Sequence, residues 1–301
     1  MKNVIYTFYN INVDNLNKEK NNYFFYYNNE LYLFSLVENN IEIIDIVYNF
    51  FKNNNLDCYE IIFTKDNSLF SVVDRKRYAL LKIKGILKYE VKFEDMKYYP
   101  IDKKANNWGK LWGERLDYYE IQLNELGFNY QTVLNSYGFF SGIAENAIIY
   151  YNLCLKKFNT EEIVVGVVHN RMHYPCYLVD YNNPLNFVID YNIRDISEYI
   201  KSYLMNDEYN LDNVLILLDK LKINNLMFNL LYSRLLYPTF YFDIFDKIIL
   251  EDGVDNDIVL VLGKVDDYLE MLRNIYLKFK DKYNMLSIEW LNFNYNKNVE
   301  N

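Results

Sequence analysis

The order in which the chain changes its hydrophobic period limits its fold more than any other feature. The first hundred residues carry strand-type runs around one helical stretch. From Lys103 onward the period is helical, broken by two short β-branched runs, EEIVVGVVHNRM (Glu161–Met172) and PLNFVIDYN (Pro184–Asn192). In the first part, NYFFYYNNELYLFSLVE is two apolar runs split by Asn28-Asn29, a hairpin signal. NIEIIDIVYNFFKN places Ile43, Ile46, Val47 and Phe50 on one helical face. DCYEIIFTKDNSLFSVVD reads as a second hairpin turning at Lys65-Asp66-Asn67, and RYALLKIK as a further strand. In the second part, helices are expected from Lys104 to Gly127, from Tyr130 to Phe158, and over 195–206, 212–236, 239–250 and 257–283. The expectation is an α+β chain with a strand-rich lobe over 1–100 and a larger, mainly helical lobe over 101–301.

Composition removes several function classes. The chain has 301 residues, 51% of them hydrophobic, enough for a substantial core. No apolar run reaches the length of a membrane span, and the start lacks a signal-peptide layout, so synthesis and residence in the cytoplasm are expected. Net charge is −9 with basic residues scattered, so no basic stripe offers itself to a nucleic acid. Cys58, Cys154 and Cys176 are an odd, widely spaced set that suits neither a disulfide framework nor a zinc ribbon. Asn, Lys, Tyr and Ile share AT-rich codons, so the many tyrosines read as ordinary half-buried side chains rather than an adhesive surface.

Both histidines, one cysteine and one proline fall within VVHNRMHYPCYLV, Val167 to Val179. His169 and His173 have the i, i+4 spacing of HExxH, but Asn170 occupies the glutamate position and Pro175 opposes a long helix. Cys176 reads as a small buried residue, with a Cys–His173 dyad as the sharper alternative. GFFSG (Gly138–Gly142) has its serine one position late for a nucleophile elbow. EDGVDND (Glu251–Asp257) lacks calcium-loop spacing and reads as a solvated loop. Trp108, Trp112, Leu116 and Tyr119 form one helical stripe, read as core. Arg115 and Asp117 cannot face each other at i, i+2, so each seeks a partner elsewhere.

This order of elements resembles the protein-kinase-like fold, especially the aminoglycoside and choline phosphotransferases. There the catalytic loop often reads His-Gly-Asp-x-x-x-x-Asn, and a second Asp after the next strand holds the metal. His169 matches the loop histidine, MHYPCYL resembles LHPGNIL, and Asp190 in FVIDY matches the metal-binding Asp. Arg171 stands where the catalytic Asp belongs, and Cys176 where the metal-binding Asn belongs. A guanidinium cannot act as the base, and a thiol is a poor ligand for magnesium. LYLFSLV resembles the strand that carries the phosphate-contacting lysine, with Ser35 near that position, and no glycine precedes Gly85 to form a phosphate loop. Across this degenerate loop, 167–195, the resemblance leaves Asp190 alone as a metal or cofactor residue.

WGKLWGERLDYYE (Trp108–Glu120) and NPLNFVIDYNIRDISEYIKS (Asn183–Ser202) resemble segments of the spore-coat CotS/YutH-type kinase-like proteins. The second does so through Asp190, Arg194, Asp195, Glu198 and Tyr199, and VVHNR resembles that group's His-x-Arg. YutH-like members, which also lack the catalytic Asp, are the better match. The resemblance implies an inactive kinase-like module that binds or scaffolds proteins, with spore-coat components as partners, coat localisation and no expected cofactor. Two further expectations concern Arg171. It pairs with Asp190 or Asp195, and beside Asp190 it would occupy the magnesium position. The competing readings are an active small-molecule kinase with Asp180 or Asp195 as relocated base, a nucleotide sensor without turnover, and an unassigned α+β protein. ATP and magnesium enter only the first two.

Overall fold

The computed structural model describes residues 1–19, 22–37, 41–53, 59–84, 90–93, 96, 99–126, 129–250, 254 and 256–288. Cys58, Gly85, Gly127 and most of the 251–257 acidic run lie outside these residues. The chain divides into two compact units.

The first unit holds Met1–Tyr99 with Val167–Arg171 and Pro175–Ile189. Its elements up to Ile83 are α1 (Lys2–Tyr9), β1 (Asn17–Glu19), β2 (Asn22–Tyr27), β3 (Glu30–Leu36), α2 (Ile41–Asn53), β4 (Tyr59–Ile62), β5 (Ser71–Val73) and β6 (Lys76–Ile83). The sheet runs β1-β2-β3-β6-β4, with β5 also on β6. The Asn28-Asn29 hairpin forms as expected: both residues take positive φ (51° and 62°), which asparagine tolerates, and Tyr27 pairs with Glu30. The second expected hairpin does not form. A turn is present at Thr64–Ser68, but β4 and β5 each pair with β6 rather than with one another. The tight hairpin lies one step later, at Asp74-Arg75, where φ is 50° and 64°.

Strand alternation sorts the side chains of this sheet onto two faces. Phe25, Tyr32, Phe34, Tyr78 and Leu80 meet Ile5 and Tyr9 of α1, a helix the sequence reading missed. Leu33, Tyr59, Ile61, Ala79 and Leu81 meet Ile44 of α2. The buried stripe of α2 is Ile44, Val47 and Phe51, rotated from the expected Ile43, Ile46, Val47 and Phe50. The segment 175–189, expected in the helical lobe, clusters with this unit. The N–H of Val91 donates to the Cys176 carbonyl (2.8 Å), Phe187 packs edge-on to Phe51 (5.2 Å), and Leu185 lies against the α2-side core.

The second unit holds Pro100–Gly166, Met172–Tyr174 and the chain from Asp190 onward. β7 (Tyr99–Pro100), β8 (Val165–His169) and β9 (Phe187–Tyr191) form a three-stranded sheet in the order β7-β8-β9. The helices are α3 (Trp108–Leu126), α4 (Gln131–Lys157), the short α5 (Leu178–Tyr181, in the first unit), α6 (Arg194–Leu204), α7 (Leu211–Asp219), α8 (Asn225–Leu236), α9 (Thr239–Leu250), α10 (Asp257–Leu262) and α11 (Val265–Phe279). Caps decide where several of them start. Asn107 accepts from the N–H of Lys110 (3.0 Å), so α3 begins at Trp108 rather than Lys104. Asn224 accepts from Met227 (2.7 Å) and splits the expected 212–236 helix into α7 and α8. The expected 257–283 helix breaks at Gly263-Lys264. Every residue of α8 from Leu226 to Leu236 is buried, which makes it the central helix of this core.

The tyrosines correct their expected half-burial. Tyr119, Tyr232, Tyr241 and Tyr268 are fully buried. Their hydroxyls find partners: Tyr232 donates to Leu272 O (2.9 Å), Tyr268 to Leu235 O and Leu236 O (both 2.8 Å), and Tyr150 to Asn229 Oδ1 (2.6 Å). A carbonyl within reach lets tyrosine serve as a core residue. Burial pushes the phenols of Tyr232 and Tyr268 well above their ordinary range. A phenol with a raised folded pKa contributes stability that is complete below about pH 10 and is lost as pH climbs past that value. A tyrosinate absorbance titration is therefore expected to show a class of phenols that ionises only together with unfolding. Ionisation of every tyrosine near pH 10 with the fold intact would contradict this packing.

Candidate functional site

Asp190 is the last residue but one of β9, and after Tyr191 the two-residue turn Asn192-Ile193 leads into α6. Its side chain is 0% exposed. Oδ2 accepts from Trp108 Nε1 (2.9 Å) and from Arg194 Nη1 (2.6 Å), and Oδ1 accepts from the Tyr191 N–H (2.9 Å). Of the two partners expected for Arg171, Asp190 is taken instead by Arg194, at the first position of α6. The tight turn aims Arg194 back at the carboxylate, which a reading by loop alignment could not see. The hydroxyls of the next residue, Tyr191, and of Tyr151 lie 2.7 Å apart.

A second buried ion cluster adjoins the first through the same tryptophan. The Arg234 guanidinium lies 4.6 Å from the Trp108 ring centre, while Trp108 stacks on Trp112 and Trp112 on Tyr237. Glu198 Oε1 accepts from Arg234 Nε (3.0 Å) and Nη2 (3.0 Å) and pairs with Lys201 Nζ (2.8 Å). Lys201 also donates to the carbonyls of Arg234 (3.3 Å) and Tyr237 (3.5 Å). Glu198 and Lys201 are 4% and 2% exposed. Sequence reasoning named Glu198 without a role and missed Lys201 and Arg234. The i, i+3 spacing of Glu198 and Lys201 resembles a solvent-facing charge ladder, and Arg234 sits on another helix.

The loop residues fall into structural roles. His169 is buried between Tyr181 and Phe187, and its Nε2 lies 2.7 Å from the Tyr181 carbonyl. A carbonyl only accepts, so Nε2 carries the proton and serves neither as base nor as ligand. Arg171 donates to Asn170 O (3.1 Å), and its carbonyl accepts from Asn186 Nδ2 (3.1 Å). Asn170 N–H donates to Asn186 O (2.7 Å), so Asn186, which sequence reading missed, ties the loop down. No helix covers 170–176, which removes the HExxH geometry, and His173 is exposed. Tyr174 N–H donates to Ser202 Oγ on α6 (2.8 Å). Cys154 and Cys176 are buried free thiols, and burial pushes the Cys154 thiol up. Ser35 is buried on β3, where its Oγ donates to Asn22 Oδ1 (2.6 Å). Asp180 is exposed on α5, and Asp195 is buried in the first turn of α6. Trp108, Trp112, Leu116 and Tyr119 form the expected core stripe, and Arg115 finds Asp246 and Tyr119.

These residues do not fit the magnesium nucleotide that the kinase resemblance implies. A hard cation needs free, accessible oxygens, whereas those of Asp190 hold three donors and face a guanidinium. Among the described residues no group of three or more His, Cys, Asp or Glu is placed to share an ion.

Removing one member of a buried pair strands the other. Arg194→Met or Glu198→Gln is expected to lower stability by about 3–5 kcal/mol in urea denaturation. Adding Asp190→Leu to Arg194→Met should recover most of that loss, because the pair is replaced by apolar volume. An unmoved midpoint for Arg194→Met would mean that Asp190 does not depend on it.

Comparison with known proteins agrees with this architecture. A family model described as "Spore coat putative kinase YutH" matches residues 2–260. The chain is 27% identical over 213 residues to the endospore coat-associated protein YutH of Bacillus subtilis, a match that covers 62% of this chain and 63% of that protein. The aligned region thus spans less than two thirds of the relative's length. The crystal structure of an aminoglycoside phosphotransferase from Alicyclobacillus acidocaldarius superimposes with a TM-score of 0.55 and 10% identity, covering 90% of this chain and 93% of that one. The likeness shows a kinase-like α+β fold, with a strand-rich N-terminal portion and a helical C-terminal portion. The chain belongs to the YutH family of spore-coat kinase-like proteins.

Proposed function

We propose that the chain is a kinase-like protein without phosphotransfer activity that acts as a binding or scaffolding module, serving coat assembly where its host forms endospores. The observation that carries this reading is the shell of Asp190. The residue that would hold the metal is sealed by Trp108 and Arg194. Arg171 and Cys176 add to it, since neither can supply the base or the hard ligand of a phosphotransferase. The name of the Bacillus subtilis relative supports the coat association and points to coat proteins as partners. No helix of the described residues is long and apolar enough to cross a membrane. A cytoplasmic origin followed by deposition on the spore suits this reading. No cofactor is required.

The test is a thermal-shift titration with ATP, with and without Mg²⁺, followed by radiolabelled phosphate transfer to a metabolite panel. Saturating nucleotide at a hundredfold excess over its dissociation constant would stabilise a binder by about 2.7 kcal/mol. The expected result is no magnesium-dependent shift and no transfer. It should persist in Arg171→Asp/Cys176→Asn, because Arg194 still faces Asp190. A shift of that size without turnover would make the chain a nucleotide sensor, and transfer would restore an enzyme. A fluorescent fusion in a spore-forming host should collect at the coat, and uniform fluorescence through sporulation would remove the coat assignment.

A further inference from the structure

Helix α4 buries one face in the core of the second unit, through Val133, Tyr137, Phe140, Ala144, Ala147 and Tyr151 among others. Its opposite face is exposed along Glu145, Ile149, Leu153 and Lys156. At about 100° per residue these four fall within a stripe about 80° wide. Ile149 and Leu153, neighbours at i, i+4 in the middle of the stripe, are 58% and 44% exposed. Glu145 and Lys156 flank it, one on each side, and neither makes an ion pair among the described residues. Lys157, the next residue, differs, since its Nζ donates to the carbonyl and side chain of Asn284 (3.0 and 3.1 Å).

We propose that this stripe is an isologous interface with a second copy of the chain, in which two α4 helices cross antiparallel over Ile149 and Leu153. The charge pattern selects this occupant. Reversed about a midpoint between Ile149 and Leu153, the stripe is its own complement. Glu145 meets Lys156 of the partner subunit, Lys156 meets the partner's Glu145, and the apolar pairs meet at the centre. In a two-fold contact each pairing occurs twice. A parallel arrangement would oppose glutamate to glutamate and lysine to lysine, so only the antiparallel one is self-consistent. An apolar centre with charged residues at the rim is the usual anatomy of a specific contact. Gly138 and Gly142 continue the same stripe, and a Cβ at either would meet nothing within 4 Å. Packing within the chain therefore does not require them, although glycine inside a helix costs about 1 kcal/mol relative to alanine. Their flatness leaves room for the partner's backbone beyond the ion pairs.

Sedimentation equilibrium of the full chain over about a hundredfold range of concentration is the test, with circular dichroism confirming that each variant is folded. The wild type is expected to shift from monomer to dimer with concentration. Glu145→Lys and Lys156→Glu should each weaken the dimer by roughly tenfold or more, since each converts two attractions into two repulsions. The double variant Glu145→Lys/Lys156→Glu should recover it, and Ile149→Asp should abolish it. A wild type that stays monomeric throughout overturns the proposal. So does a dimer that Glu145→Lys leaves unchanged, because another face would then hold it.

Discussion

The buried carboxylate of Asp190 sets the terms for the helical unit. An ionised carboxylate removed from water is tolerable only where donors replace its hydration. Three elements meet that demand together: α3 brings the Trp108 N–H, α6 brings Arg194, and the strand end brings a backbone N–H. Trp108 then fixes the next layer, since the ring that donates to Asp190 on its edge receives Arg234 on its face. Arg234 in turn fixes Glu198, and Glu198 fixes Lys201. The helical unit is thus registered around a chain of polar partners embedded in aromatic packing. Such networks specify one arrangement strongly, because any shifted one leaves a buried charge unpaired.

The same arrangement occupies the aspartate that the kinase resemblance marks as a metal ligand. In a metal-dependent kinase the second acidic residue faces a cation that comes and goes. Here the Arg194 guanidinium faces Asp190, and nearby Arg234 directs two nitrogens at Glu198 Oε1. His169 is held in the loop by ring packing and by the Tyr181 carbonyl.

Much of the layout was legible from local pattern. The Asn28-Asn29 turn, the α4 helix, the strands at 165–169 and 187–191, and the Trp108 stripe all rest on interactions within a few residues. Errors arose wherever a distant partner decided the outcome. Whether β4 pairs with β5 or with β6 depends on sheet assembly, because both pairings satisfy the alternation. The inward stripe of α2 is set by the sheet it covers, and a helix so rich in apolar residues offers two faces that sequence alone cannot rank. Lys201 and Arg234 escaped notice because a charge three residues from Glu198 is the ordinary solvent-exposed pattern and Arg234 lies on another helix.

Residue chemistry by itself determined that Arg171 offers no general base and Cys176 no hard ligand for magnesium. Arginine has no accessible neutral form, and sulfur is too soft for magnesium, wherever the fold places them. What became of the surviving aspartate could be settled only by the fold. Its fate depends on which of several cations reaches it, and on an indole N–H from 82 residues earlier in the chain. Proximity of that kind is created by packing and leaves no trace in local pattern.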